Sequence, residues 1–279
     1  MSTARHGWGS TAWMLFVYAF LYLPLVCLVV FSFTAGEITT QLSGLSLRWY
    51  EALFSDAEIG AAVLLSLRIA ALAATTAVII GTAAALVLVH WPALRGNQLL
   101  AGLTTAPMVL PDVVIGLALV LLFTHPWMQW LGGRGVTAIW IAHTTLCTAY
   151  VSIVVQSRLA EMDRSLEEAA LDLGCLPAKV FFVVTAPVIA PALAAGWLLA
   201  FTLSMDDFVL AAMLSSPGST TLPVLIFARL HHGLKPEINA LATMIVLVVS
   251  TVVFGAHLAS SRARRRRLAA AAAARAEPA

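Results

Sequence analysis

Six stretches of this chain, 11–33, 61–89, 99–124, 135–156, 185–213 and 237–258, are apolar over lengths that can cross a hydrocarbon core, which takes about 20 helical residues each. No other feature narrows the fold as much. Inside a bilayer every backbone N–H and C=O needs a partner, which leaves helices and closed barrels as the spanning structures. A barrel strand alternates apolar and polar residues over about ten positions, whereas these runs are continuously apolar. A composition of 61% hydrophobic and 11% charged residues lies outside the range of globular chains. The expected fold is therefore an all-α integral membrane protein. It is read as a bundle of about six transmembrane helices forming one domain over residues 1–279.

The first run follows Arg5 as a signal peptide would, yet it covers 11–33, longer than the 7–15 apolar residues of a signal core. No small-x-small cleavage site follows, so it is expected to stay as the first span. Charge then orients the bundle. With both termini cytoplasmic, the inside receives Arg5, Arg95, Arg158, Arg164, Lys179, Arg262, Arg264, Arg265, Arg266, Arg267 and Arg275. The opposite orientation leaves Arg48, Arg68, Arg134, Arg229 and Lys235 inside. Eleven against five is a clear positive-inside bias, and it puts the loop 157–184 in the cytoplasm. The arginine-rich tail, 259–279, directly follows a span. It reads as a topology anchor against lipid headgroups rather than as a nucleic-acid segment.

Nothing in the chain supplies energy. A phosphate-cradling loop needs Gly-x-x-x-x-Gly-Lys-Ser/Thr, and the two lysines, Lys179 and Lys235, stand in Pro-Ala-Lys-Val and Leu-Lys-Pro. No nucleophile–base pair or catalytic pair of carboxylates is apparent in the loops. Cys27, Cys147 and Cys175 form neither a metal spacing nor a disulfide framework. His143, beside Thr144 and Thr145, is expected to be hydrogen-bonded within the bundle. Residues 46–56 place Leu47, Tyr50, Leu53 and Phe54 near one helical face, as in a short helix on the outer membrane surface. The turn formers of 214–236 could meet an extracytoplasmic partner.

The loop 157–184 is the distinctive polar element. Ser165-Leu-Glu-Glu168 has the pattern of a capping box. Leu166, Ala169, Ala170 and Leu173 recur at helical spacing. Gly174 suits the left-handed position that ends a helix, and Pro177 can open the next. The residues predict a short helix, a sharp turn, then the fifth span. On these properties alone the segment is either a solvated connector or an element with a small-residue face for a soluble partner.

Glu168-Ala169-Ala170, then Gly174, then Val184-Thr185-Ala186-Pro187 resembles the cytoplasmic signature of ABC importer permeases: Glu-Ala-Ala, Gly, and Ile-x-Leu-Pro at matching spacing. Val184 stands for the isoleucine and Ala186 for the leucine. The resemblance implies a type I ABC importer permease fold, in which this loop is the coupling helix that docks on an ATPase subunit. It implies that Leu166, Glu168, Ala169, Ala170, Asp172 and Gly174 make that coupling. Thr202-Leu-Ser-Met-Asp206-Asp207-Phe208, Pro217-Gly-Ser-Thr-Thr-Leu-Pro223 and Pro236-Glu-Ile-Asn-Ala-Leu-Ala-Thr243 resemble polyamine importer permeases, most closely the permease subunits of putrescine importers. Arg48-Trp49-Tyr50 and Ala106-Pro-Met-Val-Leu-Pro-Asp112 fit the same picture. The similarity runs over about 11–258.

On this resemblance the chain is expected to be a non-catalytic subunit in the bacterial inner membrane, in contact with the lipid bilayer. Its expected partners are a second, different permease, two copies of an ABC ATPase, and an extracytoplasmic polyamine-binding protein. The chain is expected to hold no cofactor itself, because ATP and magnesium sit on the ATPase. A polyamine path needs negative charge or aromatic faces where water is scarce. A mid-span carboxylate costs about 2.5–3.5 kcal/mol on insertion scales, so Asp112, Asp206 and Asp207 are the candidates to line it. Adjacent helical residues point about 100° apart. At most one of Asp206 and Asp207 aims squarely at the path, while the other pairs with an arginine or caps a broken helix. The alternative for these carboxylates is a buried ion pair with Arg68 or Arg229. The alternatives for the whole are a gradient-driven transporter or channel, and a permease for another small solute such as spermidine, another amine or an amino-phosphonate.

Overall fold

The computed structural model describes residues 8–38, 41, 43–231, 235–251, 254, 255, 258 and 261. Arg5, the tail arginines and the tail 259–279 apart from Ser261 lie outside the described residues. The helices are α1 (Trp8–Phe31), α2 (Arg48–Ser55), α3 (Ala57–His90), α4 (Asn97–Val109), α5 (Asp112–Thr124), α6 (Val136–Ala160), α7 (Ser165–Asp172), α8 (Pro177–Val180), α9 (Ala186–Asp206), α10 (Val209–Leu214), α11 (Leu222–His231) and α12 (Pro236–Thr251). One 3₁₀ turn covers Pro126–Leu131 and one π turn Phe181–Thr185. Among the described residues the only β pairing is an isolated bridge between Thr34 and Leu45.

Four helices are long and apolar enough to cross a membrane unbroken: α1, α3, α6 and the run Pro177–Asp206. The expected third span, 99–124, is instead two helices that meet at 110°. Its cause is local. Proline holds the preceding residue out of the α region, and Leu110 is extended at φ −76°, ψ 138°. The expected fifth span, 185–213, also breaks, with Asp207 extended at φ −66°, ψ 117° between α9 and α10. The sixth, 237–258, is described as α12, and its last residues fall partly outside the described set.

The chain divides into two units, one of Met1–Ala57 with Arg229–Ala279 and one of Glu58–Ala228. In the first, α1 carries exposed Trp13, Phe16, Phe20 and Leu23, a surface suited to lipid. The turn after it is tied to α2. Trp49 Nε1 donates to the Thr34 carbonyl at 2.9 Å, and the Tyr50 and Ser32 hydroxyls lie 2.7 Å apart. The short helix expected of 46–56 forms as α2, with Leu53 buried and Leu47 and Phe54 exposed. Arg229 joins the two ends of this unit, with Asp56 Oδ2 at 2.7 Å and Glu237 Oε1 at 3.1 Å.

The second unit is organised around α6. Lipid tails are as apolar as leucine, so helices in a membrane associate through close packing rather than through the hydrophobic effect. Small residues permit that approach. Ala70, Ala73, Ala74, Ala77, Ala84 and Ala85 form the buried stripe of α3. A Cβ at Gly81 would come within 3.0 Å of Val151 Cγ1 and 3.1 Å of the Ser152 nitrogen, and one at Gly196 of α9 within 3.4 Å of the same methyl. Val151 is fully buried between the two glycines. Side-chain hydrogen bonds add to the packing. The Thr76 and Thr144 hydroxyls are 2.8 Å apart, and Trp197 Nε1 donates to Thr75 Oγ1 at 3.1 Å. Bonds of this kind average about 0.6 kcal/mol in membrane bundles.

Replacing Gly81 by alanine should push α3 away from α6. Overpacking typically costs about 1–3 kcal/mol, which we expect to read as a lower melting temperature of the detergent-solubilised protein. Gly60→Ala, on the same helix with nothing within 4 Å of its Cβ position, should leave the melting temperature unchanged or raise it slightly.

Candidate functional site

The loop between α6 and α9 is folded by a few specific bonds. The Ser165 amide donates to Asp163 Oδ1 at 3.0 Å, and that backbone hydrogen bond holds the exposed Asp163 carboxyl below the usual carboxylate range. The expected capping box does not form. The N-cap position is Arg164 without a side-chain cap, and the Glu168 amide donates to the Arg164 carbonyl at 3.1 Å. Asp163, two residues before the helix, takes the role assigned to Ser165. At the other end Gly174 has φ +82°. Its amide donates to the Leu171 carbonyl at 2.8 Å, and the Cys175 amide reaches back to Ala170 at 3.1 Å. This is the Schellman pair, which needs a residue tolerant of the left-handed region. Pro177 opens α8 at its first position, as the sequence predicts. The π turn then widens the backbone before α9.

This short helix has two unlike faces. Leu166, Glu168, Ala169, Asp172 and Gly174 are exposed, Ala170 is half-buried, and Leu173 and Leu176 stand 86% and 73% open. The opposite face carries Glu167, whose side chain is only 15% exposed. Its Oε1 accepts from the Thr185 hydroxyl, and its Oε2 lies 2.9 Å from His90 Nε2 at the end of α3. Beside it, Arg164 Nη2 donates to the Val89 carbonyl at 2.6 Å. Burial alone would push the Glu167 carboxyl up. Hydrogen bonds from Thr185 and His90, with the charges of His90 and Arg164, outweigh it and hold the group below its ordinary value.

A second polar site lies where α9 gives way to α10. The two adjacent carboxylates are sorted by the break. Asp207 turns inward, with a side chain 7% exposed, and its Oδ1 accepts from the amides of Leu210 at 2.9 Å and Ala211 at 3.3 Å. It therefore satisfies two of the free N–H groups at the start of α10. The buried His143 is hydrogen-bonded as expected, its Nδ1 2.6 Å from Ser204 Oγ. Its Nε2 lies 3.6 Å from Asp207 Oδ1 and makes no hydrogen bond of its own. Asp206, the last residue of α9, is exposed. At the far end of α10, Arg134 Nη2 donates to the carbonyls of Met213 at 2.7 Å and Ser215 at 3.1 Å. Asp112, the first residue of α5, is exposed at the α4–α5 bend. Arg229, the alternative ion-pair partner named for these carboxylates, pairs with Asp56 and Glu237.

Sequence reasoning missed Glu167, His90, Arg164 and Thr185 as a group. Thr185 fills the variable position of Val184-Thr185-Ala186-Pro187, and Glu167 precedes the signature glutamate. Only their polarity within the motif could have flagged them. Nothing local could have brought His90, 77 residues away, to Glu167.

Comparison with known proteins places this geometry. The family described as "Binding-protein-dependent transport system inner membrane component" matches residues 77–266. The chain is 52% identical to the putrescine transport system permease protein PotI of Escherichia coli (strain K12), covering 90% of each chain. It is 37% identical to the spermidine/putrescine transport system permease protein PotC of Haemophilus influenzae, over 87% of this chain and 93% of that one. Among solved structures it superposes on a bacterial ABC transporter involved in the import of the acidic polysaccharide alginate, with a TM-score of 0.69 at 17% identity. That match covers 94% of this chain and 98% of the other. An amino acid ABC transporter gives 0.51 at 20% identity, over 78% and 96%. An all-helical bundle with two broken spans and a polar helical loop between α6 and α9 thus carries the type I permease fold, and the chain belongs to the family of binding-protein-dependent transport system inner membrane components, the permeases of ABC importers.

Proposed function

We propose that this permease imports a polyamine, putrescine foremost, as one half of a membrane path whose energy comes from a separate ATPase. The observation that carries the reading is 52% identity over 90% of both chains to a putrescine permease. The chain acts as a single permease domain in the bacterial inner membrane, with both termini, the loop 157–184 and the basic tail in the cytoplasm. A second, different permease completes the path. Two ATPase copies, holding ATP and magnesium, dock below, and an extracytoplasmic polyamine-binding protein delivers the solute. This chain contributes no catalytic group.

Within the loop, α7 is the coupling helix. Its open face of Leu166, Glu168, Ala169 and Asp172, with Leu173 beyond its end, suits insertion into a groove of the ATPase. Ala170 and Gly174 set its thickness and its end. Along the path, Asp206 and Asp112 are the carboxylates placed to meet a dication, because both are exposed at helix breaks. Asp207 is committed to α10 and His143, so it shapes the break instead of binding solute.

The direct test is uptake of labelled putrescine in cells with and without this chain, with unlabelled spermidine, an amino acid and a phosphonate as competitors. Loss of uptake on deletion, restored by the gene and blocked by unlabelled putrescine, is the expected result. A deletion strain that retains putrescine uptake and instead loses uptake of another solute would replace the substrate. Gly174→Pro cannot adopt the positive φ and should abolish uptake while the protein remains in the membrane. Asp206→Asn should lower putrescine uptake about tenfold, equivalent to about 1.4 kcal/mol. Asp207→Asn keeps an oxygen able to cap α10 and should fall much less. Equal losses in both variants would remove the distinction drawn between them.

A further inference from the structure

Glu167 stands one residue before the signature glutamate and faces the other way. We infer that Glu167 is the positioning residue that fastens α7 to two spans at once, so that displacement of α7 moves the end of α3 and the start of α9 together. The inference rests on the reading of α7 as the element that receives the ATPase.

The geometry divides the carboxylate between two elements. One oxygen is held by Thr185, the residue that closes the π turn ahead of α9, and the other faces His90, the last residue of α3. Arg164 adds a second tie on the same helix end through the Val89 carbonyl. Glu168, the next residue, is exposed. The two neighbours are thus split between an outward face and an inward attachment. An eight-residue helix has little stability of its own in water, so the posture of α7 is set by such ties and by its caps. Apolar contact alone would let α7 slide over its neighbours. A largely buried carboxylate with both oxygens engaged resists sliding, because removing one partner strands a charge out of water. The point of attachment matters as well. A π turn is a place where the helical hydrogen-bond ladder can shift by one residue, and Thr185 is gripped at its boundary.

The test uses the complete importer, with its partner permease, ATPase and binding protein, in proteoliposomes with labelled putrescine as the probe. The readout is solute imported per ATP hydrolysed, alongside the amount of ATPase that co-purifies. Glu167→Gln should keep the ATPase bound and lower the import-to-hydrolysis ratio about tenfold. Thr185→Val, which keeps the shape and loses the hydroxyl, should lower the ratio in the same direction, and Thr185→Ser should restore it. Unchanged ratios in Glu167→Gln and Thr185→Val would overturn the inference. So would loss of the ATPase from Glu167→Gln, since the residue would then belong to the docking face. Leu173→Asp checks the underlying reading separately. It should detach the ATPase, and normal retention and uptake in that variant would sink the docking assignment whatever Glu167 does.

Discussion

Val151 held between Gly81 and Gly196 is the contact on which the rest of the second unit depends. In lipid there is no general gain from bringing two apolar helices together, so what decides association is how closely the backbones approach. Two glycines on α3 and α9 let both helices close on one β-branched residue of α6. The alanine stripe of α3 and the fully buried Ala200 of α9 extend the same close approach along the helices. The apolar core follows this axis. Ala138, Ala142 and Leu146 of α6 serve one cluster with α5 and α10, while Val151, Val155 and Leu159 serve another with α3 and α9.

From that packing comes the position of the loop. Because α3 and α9 both lie against α6, the end of one and the start of the other come within reach of a single glutamate on α7. The same logic governs the buried histidine. His143 projects from α6 at the level where α9 stops, so Ser204 and Asp207 can both face it. The polar groups around α10 lie where a helix ends and leaves backbone to satisfy. Asp207 and Arg134 bracket α10 in that way, one at each end.

The all-helical class, the approximate spans and the helical loop were legible in the sequence, because continuous hydropathy and the glycine and proline punctuation are local signals. Gly174 and Pro177 behave as their chemistry requires. The breaks were less legible. Pro111 announced one of them, yet a hydropathy run reads the same whether it is straight or bent by 110°. The end of α9 at Asp206 was visible only as two adjacent acids, and their division into a capping and an exposed carboxylate depends on backbone direction. The capping box failed for a similar reason. Asp163 lay two residues nearer the preceding helix and captured the Ser165 amide first. Pairings between distant elements, such as Glu167 with His90 and Arg229 with Asp56, leave no local trace.

The broken end of α9 has an electrical consequence. A helix that stops exposes carbonyl oxygens, a partial negative charge, and one that starts exposes amides, a partial positive charge. In a simple interruption the two would nearly cancel. Here Asp207 neutralises the amide end of α10, whereas the carbonyl end of α9 is left beside the carboxylate of Asp206. The interruption is therefore one-signed. On the proposed reading of this chain as a polyamine permease, such a break would favour a cation over an anion through backbone polarity and one acid, before any shape-selective contact is made.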